Sequence, residues 1–476
     1  MSNNGKKQSQ PKNDRPKKRR KGMCLEDRPI LENSAAGVDV GAREMFVAVP
    51  PDRDTHPVQV FNTFTEDLHR LADWLVACGV TTAAMESTGV YWIPLYDILE
   101  ERGLKPCLVN ARHMKNVPGR RTDWHECQWL QYLHSVGLLR GAFRPEADIC
   151  AVRVLIRHRD ELVQIASQHV QHMHKALTQM NLQIHHVISD ITGLTGLAIV
   201  DALLGGQRDA GELVKLCDPR IKADHETIRK SLVGNWRLEH LFTLKQSREL
   251  YRMYQQQVVE CDHEIEQLLG AFEPRVDPNK KPLPPDRKRN RSGKKRRKKN
   301  GNLEIGFDLR TEAYKLFGVD VTQIPGVETI AFPLFSEIGR DLSKWSTASH
   351  FASWLGLCPD NDISGGRVLW KGVRKVKNRA GQMFRLAAHS LHRSLTPLGN
   401  YLRRMKAKLG PAAATTATAH KIATIFYTLV TKQVEYDESV WAQRDAERDK
   451  RLEAKLKRQA KQRGYKLVPI EENSAA

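Results

Sequence analysis

Apolar and polar positions alternate along the first third of the chain in a way that predicts short strands. Apolar runs at Ala35–Val40 and Met45–Val49 flank the polar stretch Gly41–Glu44, a pattern typical of a β-hairpin. Val58–Phe64 predicts a third strand, and the spacing of leucines in Glu66–Cys78 predicts a helix. The chain therefore begins its first domain with three strands followed by a helix.

Residues 80–145 alternate between segments with the two-residue period of a strand and segments with the 3.6-residue period of a helix. Val80–Glu86 predicts a strand, Trp92–Arg102 a helix and Lys105–Val109 another strand, and a further helix is expected from about Asp123. Three strands followed by alternating helices and strands favour an α/β layer built on a mixed sheet.

Beyond residue 146 the helical period dominates. Two stretches, 148–190 and 224–269, predict long helices that form an antiparallel pair. Residues 274–302 hold many Lys, Arg, Pro and Asn residues and almost nothing apolar, which indicates a flexible basic insert. A second, mostly helical domain is expected from Leu303 to Val430.

These patterns predict a chain of α/β plus all-α class in six parts. The expected parts are a disordered basic arm (1–33), an α/β domain (34–145), a pair of long helices (146–273), the basic insert (274–302), a mostly helical domain (303–432) and a charged tail (433–476).

Charge changes this picture by pointing to a polyanionic partner. The net charge is +21, and it is concentrated in appendages: residues 6–21 carry +8, residues 280–299 carry +11 and residues 444–466 carry +6. No apolar run is long enough for a membrane span or a secretory signal. The eight cysteines form no Cys-x-x-Cys pair, so the sequence predicts neither a zinc ribbon nor a disulfide framework, and a reducing, cytoplasmic setting is expected.

Four acidic residues in the first domain are candidate metal ligands. Asp39 lies inside the first predicted strand, Glu86 ends the fourth, and Asp123 and Glu126 share one face at a helix start. If the first and fourth strands are neighbours, these carboxylates converge, and such oxygen ligands suit Mg²⁺ in phosphoryl transfer. Structural alternatives exist: Asp123 and Glu126 also fit a helix capping box, and capping of the next helix or pairing with an arginine would equally account for Glu86.

Ser364-Gly365-Gly366 is a candidate nucleophile site in the second domain. Two glycines after a serine permit backbone conformations that expose the hydroxyl and let DNA approach. The alternative is an ordinary turn. Seven nearby cations suit phosphate contacts, although a solvated basic face is the simpler interpretation; they are Arg367, Lys371, Arg374, Lys375, Lys377, Arg379 and Arg385.

Four motifs together resemble a known family. They are AGVDV at 36–40, MESTGVYW at 85–92, RTDWHECQWL at 121–130, and SWLGLCP at 353–359 followed by ISGG at 363–366. The first three resemble the RuvC-like DEDD domain of insertion-sequence transposases of the one-ten family, most closely its eleven-eleven subgroup. The fourth resembles the second, transposase domain of that family, and the likeness extends from about residue 35 to about residue 430.

The resemblance implies a ribonuclease-H-like domain joined by a helical coiled coil to a small helical catalytic domain. It also implies a DNA recombinase whose acidic tetrad maps onto Asp39, Glu86, Asp123 and Glu126 and whose nucleophile maps onto Ser364. The fourth tetrad position is usually Asp in the family and is Glu126 here, so a carboxylate is retained with one more methylene.

The family further implies partners: donor and target DNA, a bridge RNA encoded by the element, and a dimer of dimers in a prokaryotic cell, at the nucleoid. The competing hypotheses are a RuvC-like structure-specific nuclease that uses metal-activated water, and a non-catalytic nucleic-acid-binding protein.

Overall fold

The computed structural model divides the chain into two compact units, one ending at Arg144 and one beginning at Pro145. The structure describes residues 28–110, 123–285, 305–370, 372–374 and 378–466. Most of the predicted basic arm and most of the predicted basic insert lie outside these ranges.

The first unit is built on a five-stranded sheet in the order β3-β2-β1-β4-β5. Strand β1 pairs antiparallel with β2 and parallel with β4, so the predicted hairpin and the predicted mixed sheet are both confirmed. The strands are β1 (Ala35–Val40), β2 (Glu44–Ala48), β3 (Val58–Asn62), β4 (Thr82–Glu86) and β5 (Lys105–Val109).

Helices cover both faces of this sheet. Ala36, Val38 and Val40 of β1 lie in one apolar core with helix α1 (Thr65–Ala77) and helix α2 (Trp92–Glu101). Because successive strand residues point to opposite faces, Gly37 faces the other side. There, helix α3 (described from Asp123 to Ser135) packs on the sheet. The helix that the sequence predicts from about Asp123 is therefore present.

Gly37 lets α3 approach the sheet closely. A Cβ atom at this position would lie 2.2 Å from the backbone nitrogen of Gln131 and 2.3 Å from the carbonyl oxygen of Cys127. We expect Gly37→Ala to lower the free energy of unfolding of this unit by about 1–3 kcal/mol, because backbone atoms cannot yield as a flexible side chain can. Urea unfolding measures this effect. Gly141→Ala is the control, since its Cβ would meet Cys107 at 3.4 Å; equal unfolding midpoints for both variants would contradict the packing argument.

The second unit begins with two antiparallel helices of 33 residues each, α4 (Ala147–Gln179) and α8 (Leu238–Gly270). Their opposite directions follow from two contacts: Cys261 Sγ donates to the carbonyl of Leu155 at 3.4 Å, and His169 stacks on Tyr254 at 5.5 Å.

Helix α4 ends earlier than the sequence predicts, and helix α8 begins later. The predicted stretches 148–190 and 224–269 include residues that leave the helix because Asn181 and Trp236 adopt positive φ, at 58° and 51°. Between the long helices, three short ones fold over their apolar surfaces and form a separate core. They are α5 (Leu194–Leu204), α6 (Ala210–Val214) and α7 (His225–Ser231).

The rest of this unit is mostly helical, as predicted, with one β-hairpin that the sequence analysis missed. Its core is aromatic: Phe317 contacts Phe426, and Phe384 contacts both Phe351 and Phe426. The elements are α9 (Leu309–Phe317), α10 (Ala331–Ile338), α11 (Ala348–Trp354), β6 (Asp362–Ser364), β7 (Arg367–Trp370), α12 (Arg379–Ser390), α13 (Pro397–Leu409), α14 (Pro411–Lys432) and α15 (Ser439–Gln462). Over the described part of the chain, no helix combines the length and the hydrophobicity that crossing a bilayer requires.

A buried ion pair joins the long helices to the residues after the insert. Arg159 and Asp262 are 7% and 4% exposed, and Arg159 Nη2 donates to Asp262 Oδ2 at 3.2 Å. The backbone N–H of Gly306 also donates to Asp262 Oδ2, at 3.0 Å. The pair therefore fixes the position at which the chain resumes after the basic insert.

Breaking this pair from one side should be costly. We expect Asp262→Ala to destabilise the second unit by about 3–5 kcal/mol, because Arg159 would remain buried without its counter-charge. The double variant Arg159→Met with Asp262→Leu should recover most of that loss, since it removes both charges. Thermal unfolding of the three proteins checks the prediction; a single variant as stable as the parent would refute it.

Candidate active-site residues

Asp39 and Glu86 lie beside each other at the carboxyl ends of two neighbouring parallel strands. The register of β1 and β4 pairs Val38 with Met85, and the next step along both strands brings Asp39 alongside Glu86. Because successive side chains of a strand point to opposite faces, Asp39 lies on the same face of the sheet as Gly37, and Glu86 on the same face as Ala84. This is the face that packs against α3. The strand adjacency that the sequence hypothesis required is therefore present, with both carboxylates on one face of the sheet.

Glu86 is buried, at 8% exposure, and accepts a hydrogen bond of 2.8 Å from the hydroxyl of Thr88. Helix α2 begins at Trp92 with Tyr91 as its N-cap residue, and no side chain caps it. The N-cap position of α2 is thus five residues beyond Glu86 along the chain.

Helix α3 brings a third carboxylate to the same face. Asp123 and Glu126 occupy its first described turn. Asp123 lies one turn before Cys127 and Glu126 directly precedes it, and Cys127 is fully buried against the sheet. Burial, together with the smaller effect of the negative charges of Asp39 and Asp123, raises the pKa of the Cys127 thiol to about 12. Both carboxylates therefore lie within electrostatic range of one buried sulfur atom.

The chemistry of these donors fits a hard divalent cation, since all four side chains offer carboxylate oxygens. In the ranges that the structure describes, however, no three His, Cys, Asp or Glu side chains are grouped closely enough to hold a metal ion. The four-carboxylate magnesium site remains a prediction, supported by the shared face of Asp39 and Glu86 and by the position of Asp123.

Ser364 lies at the tip of the hairpin formed by β6 and β7. It is exposed and pairs across the hairpin with Arg367. Gly365 and Gly366 form the two-residue turn with φ values of 56° and 75°, a combination that favours a type I′ turn and that glycine adopts without strain. A Cβ atom on either glycine would meet nothing within 4 Å, so the space around the tip is open.

The hairpin carries exposed apolar side chains that the sequence analysis did not single out. Ile363 and Leu369 are 63% and 71% exposed, and Val368 and Trp370 are also exposed. The signal was present in the sequence, because an apolar run directly after Gly-Gly is typical of a strand that follows a two-residue turn.

The predicted phosphate-binding cations fall into different environments. Arg367 is exposed beside Ser364, whereas Arg374 donates to the carbonyl and the hydroxyl of Ser353. Arg379 lies 3.9 Å from the buried carboxylate of Glu337. Arg385 donates to the carbonyl of Gly356 at 2.8 Å, and burial lowers the pKa of its guanidinium. Lys371, Lys375 and Lys377 lie outside the described residues.

The sequence Ile324-Pro325-Gly326-Val327-Glu328 fits the turn of a helix-hairpin-helix and equally a plain Pro-Gly turn between helices. In the structure this turn packs on α12. Gly326 has a φ of 87°, and a Cβ there would lie 2.6 Å from the carbonyl oxygen of Ala387. This close approach gives Gly326 a structural role in the helical domain.

Comparison with known proteins gives two family matches. A model of the DEDD transposase domain of the IS110 type matches residues 36–182, which include the sheet, α3 and the first long helix. A model described as the transposase IS116/IS110/IS902 family matches residues 320–400, which include the Ser364 hairpin. A search of curated proteins gives no match. Both matches are to IS110-type transposase models, and the matched domain that holds the sheet precedes the matched domain that holds the hairpin along the chain.

Proposed function

We propose that this transposase is an RNA-guided DNA recombinase that cuts and rejoins strands by serine attack. The observation that carries the proposal is the placement of Ser364 at an open Gly-Gly tip, with Arg367 paired to it across the hairpin. A nucleophilic hydroxyl must reach a phosphorus atom in line with the leaving oxygen, and a protruding tip gives a DNA strand that access.

In the proposed reaction, Ser364 Oγ forms a bond to the phosphorus of a DNA phosphodiester while one phosphorus–oxygen bond to deoxyribose breaks. The proton of the serine hydroxyl passes to a general base, and the leaving sugar oxygen gains a proton. The resulting phosphoserine link conserves the ester bond, so attack by a sugar hydroxyl of another strand reverses the step and frees Ser364. Arg367 is placed to contact a non-bridging phosphate oxygen.

Asp39, Glu86, Asp123 and Glu126 would hold Mg²⁺, whose charge would stabilise the negative charge that develops on the phosphate oxygens. The shared face of Asp39 and Glu86 supports this assignment. Glu86 is buried and accepts a hydrogen bond from Thr88, which would help to orient its carboxylate for the metal.

We further propose that the protein acts as a dimer of dimers on donor and target DNA, with a bridge RNA encoded by the element. Recombination needs cut strands from two duplexes, which favours an oligomer, and the α4–α8 pair is the proposed coiled-coil assembly element. Ser364 is proposed to act with the carboxylates of a neighbouring copy. The charge of +11 on residues 280–299 supports an RNA or DNA contact made by this segment.

The alternative is a structure-specific endonuclease that uses metal-activated water, favoured by the fact that the carboxylates lie in a unit of their own. The test incubates the protein with labelled DNA, with and without the RNA of the element, and denatures the products. An RNA-dependent DNA–protein adduct supports the proposal, whereas free cleaved ends without an adduct support the nuclease. An adduct that forms equally well without RNA would exclude RNA guidance.

A further inference from the structure

The C-terminal helix α15 separates its cations from its leucines. Six of its cations form two adjacent rows along the helix. One row has the spacing i, i+7, i+11, and the other has the spacing i, i+4, i+7. At 100° per residue they fall within an arc of about 160°. Leu452 and Leu456 lie on the opposite side. The six cations are Lys450, Lys457 and Lys461 in the first row and Arg451, Lys455 and Arg458 in the second.

This helix has a defined end. Gly464 has a φ of 79°, and the backbone N–H of Tyr465 donates to the carbonyl of Ala460 at 2.9 Å, as in a glycine-terminated helix. The interior of the helix consists largely of Ala, Leu, Lys, Arg, Glu and Gln, which are strong helix formers. The rows of cations are therefore held in a fixed arrangement over the last three turns.

The cationic face is exposed and has little compensating charge within its own segment. All six side chains are exposed, and residues 450–466 contain a single acid, Glu453, which pairs with Lys457 at 2.6 Å. Like charges four residues apart, such as Arg451 and Lys455, repel each other and disfavour the helix. This repulsion between cations destabilises the helix in the isolated protein, and a bound polyanion reduces it.

We propose that this face of α15 binds the phosphodiester backbone of nucleic acid. The face extends over about 16 Å from Lys450 to Lys461, a length that spans several phosphates of a duplex. Membrane binding fits less well, because two leucines and Tyr465 are the only large apolar residues between 450 and 466. The proposal lies outside both family matches, which end at residue 400, and it does not rest on the chemistry of Ser364.

The test measures binding of the full chain to duplex DNA, duplex RNA and single-stranded RNA of equal length at a series of salt concentrations. The variant replaces the six cations by glutamine, which preserves helix propensity: Lys450→Gln, Arg451→Gln, Lys455→Gln, Lys457→Gln, Arg458→Gln and Lys461→Gln. For the preferred nucleic acid we expect the slope of log K against log salt to become shallower by about 3–5 and the affinity near 0.1 M salt to fall by at least about tenfold. Comparison of the three probes shows which kind of nucleic acid α15 binds most tightly.

A control with the same change in net charge separates position from overall charge. Six exposed cations between residues 215 and 245 each lie within 4.0 Å of a carboxylate, and their replacement by glutamine should leave the slope within about one unit of the parent. They are Lys215, Arg220, Arg229, Lys230, Arg237 and Lys245. Equal losses in both variants would overturn the proposal. So would a loss of binding to vesicles of anionic phospholipid with unchanged binding to all three nucleic acids.

Discussion

Ser364→Ala should abolish the DNA–protein adduct and reduce strand transfer on the order of 10⁴-fold or more, the scale of effect seen when a serine nucleophile is removed. The substitution deletes one exposed hydroxyl at a hairpin tip and touches no core residue. The free energy of unfolding should therefore stay within about 0.5 kcal/mol of the parent. Denaturing gels of labelled DNA measure the adduct, and a separate strand-transfer assay measures rejoining.

A matched serine variant shows whether the effect belongs to the tip. Ser343 lies in the same domain, is exposed and donates to Asp341 Oδ2 at 2.6 Å, so Ser343→Ala should keep both the adduct and strand transfer. Retained strand transfer in Ser364→Ala would eliminate the serine mechanism. Cleavage that persists there without an adduct would favour the metal-activated water of the nuclease alternative.

The sheet domain is the part that the sequence predicts best. Each of its strands has a β-branched or apolar run bounded by Gly, Pro or polar residues, and the observed strands lie within one or two residues of the expected ones. The adjacency of β1 and β4 was a condition of the hypothesis that Asp39 and Glu86 converge, and the sequence pattern did not predict it. The sequence holds no signal for strand pairing between residues so far apart, so that adjacency had to be read from the structure.

The predictions were less accurate where tertiary contacts override local periodicity. The stretch 148–190 keeps its apolar spacing past Gln179, but the chain turns at Asn181 because the carbonyl of Met180 accepts a hydrogen bond from Asn235, on the approach to α8. Such a contact joins residues 55 positions apart, and no local pattern encodes it. The hairpin at Ser364 is a different case, because its two-residue Gly-Gly turn is a local signal that lies in an otherwise helical domain.

The cations near Ser364 show why composition alone does not assign contacts. Arg374, Arg379 and Arg385 appear equivalent to Arg367 in the sequence, yet each has a partner within the protein. A guanidinium has five donors in a fixed plane and serves a backbone carbonyl as readily as a phosphate. Arg367 is consequently the described cation with the strongest claim to a DNA contact at the tip.

Asp39→Asn and Glu86→Gln should each lower DNA cleavage and strand transfer by about 10²-fold or more while leaving the sheet domain folded. Both changes are nearly isosteric and remove one negative charge from the face where β1, β4 and α3 meet. In the absence of metal, clustered carboxylates repel one another, so removing one charge should leave the free energy of unfolding equal or higher. Glu86→Gln keeps an acceptor for the Thr88 hydroxyl, which protects the local geometry.

If the same carboxylates had a structural role, their replacement would lower the free energy of unfolding. Adding Mg²⁺ distinguishes a structural role from metal binding. Millimolar Mg²⁺ should raise the melting temperature of the parent, because an ion bound by the folded state alone stabilises it by mass action, and this rise should shrink in both variants. Asp52→Asn is the control: its side chain is 78% exposed in the same unit, so it should keep both the rise and the cleavage. If Asp39→Asn or Glu86→Gln unfolds at lower temperature without Mg²⁺ and keeps the full rise with it, the carboxylates are structural. The proposed magnesium site would then have to be abandoned.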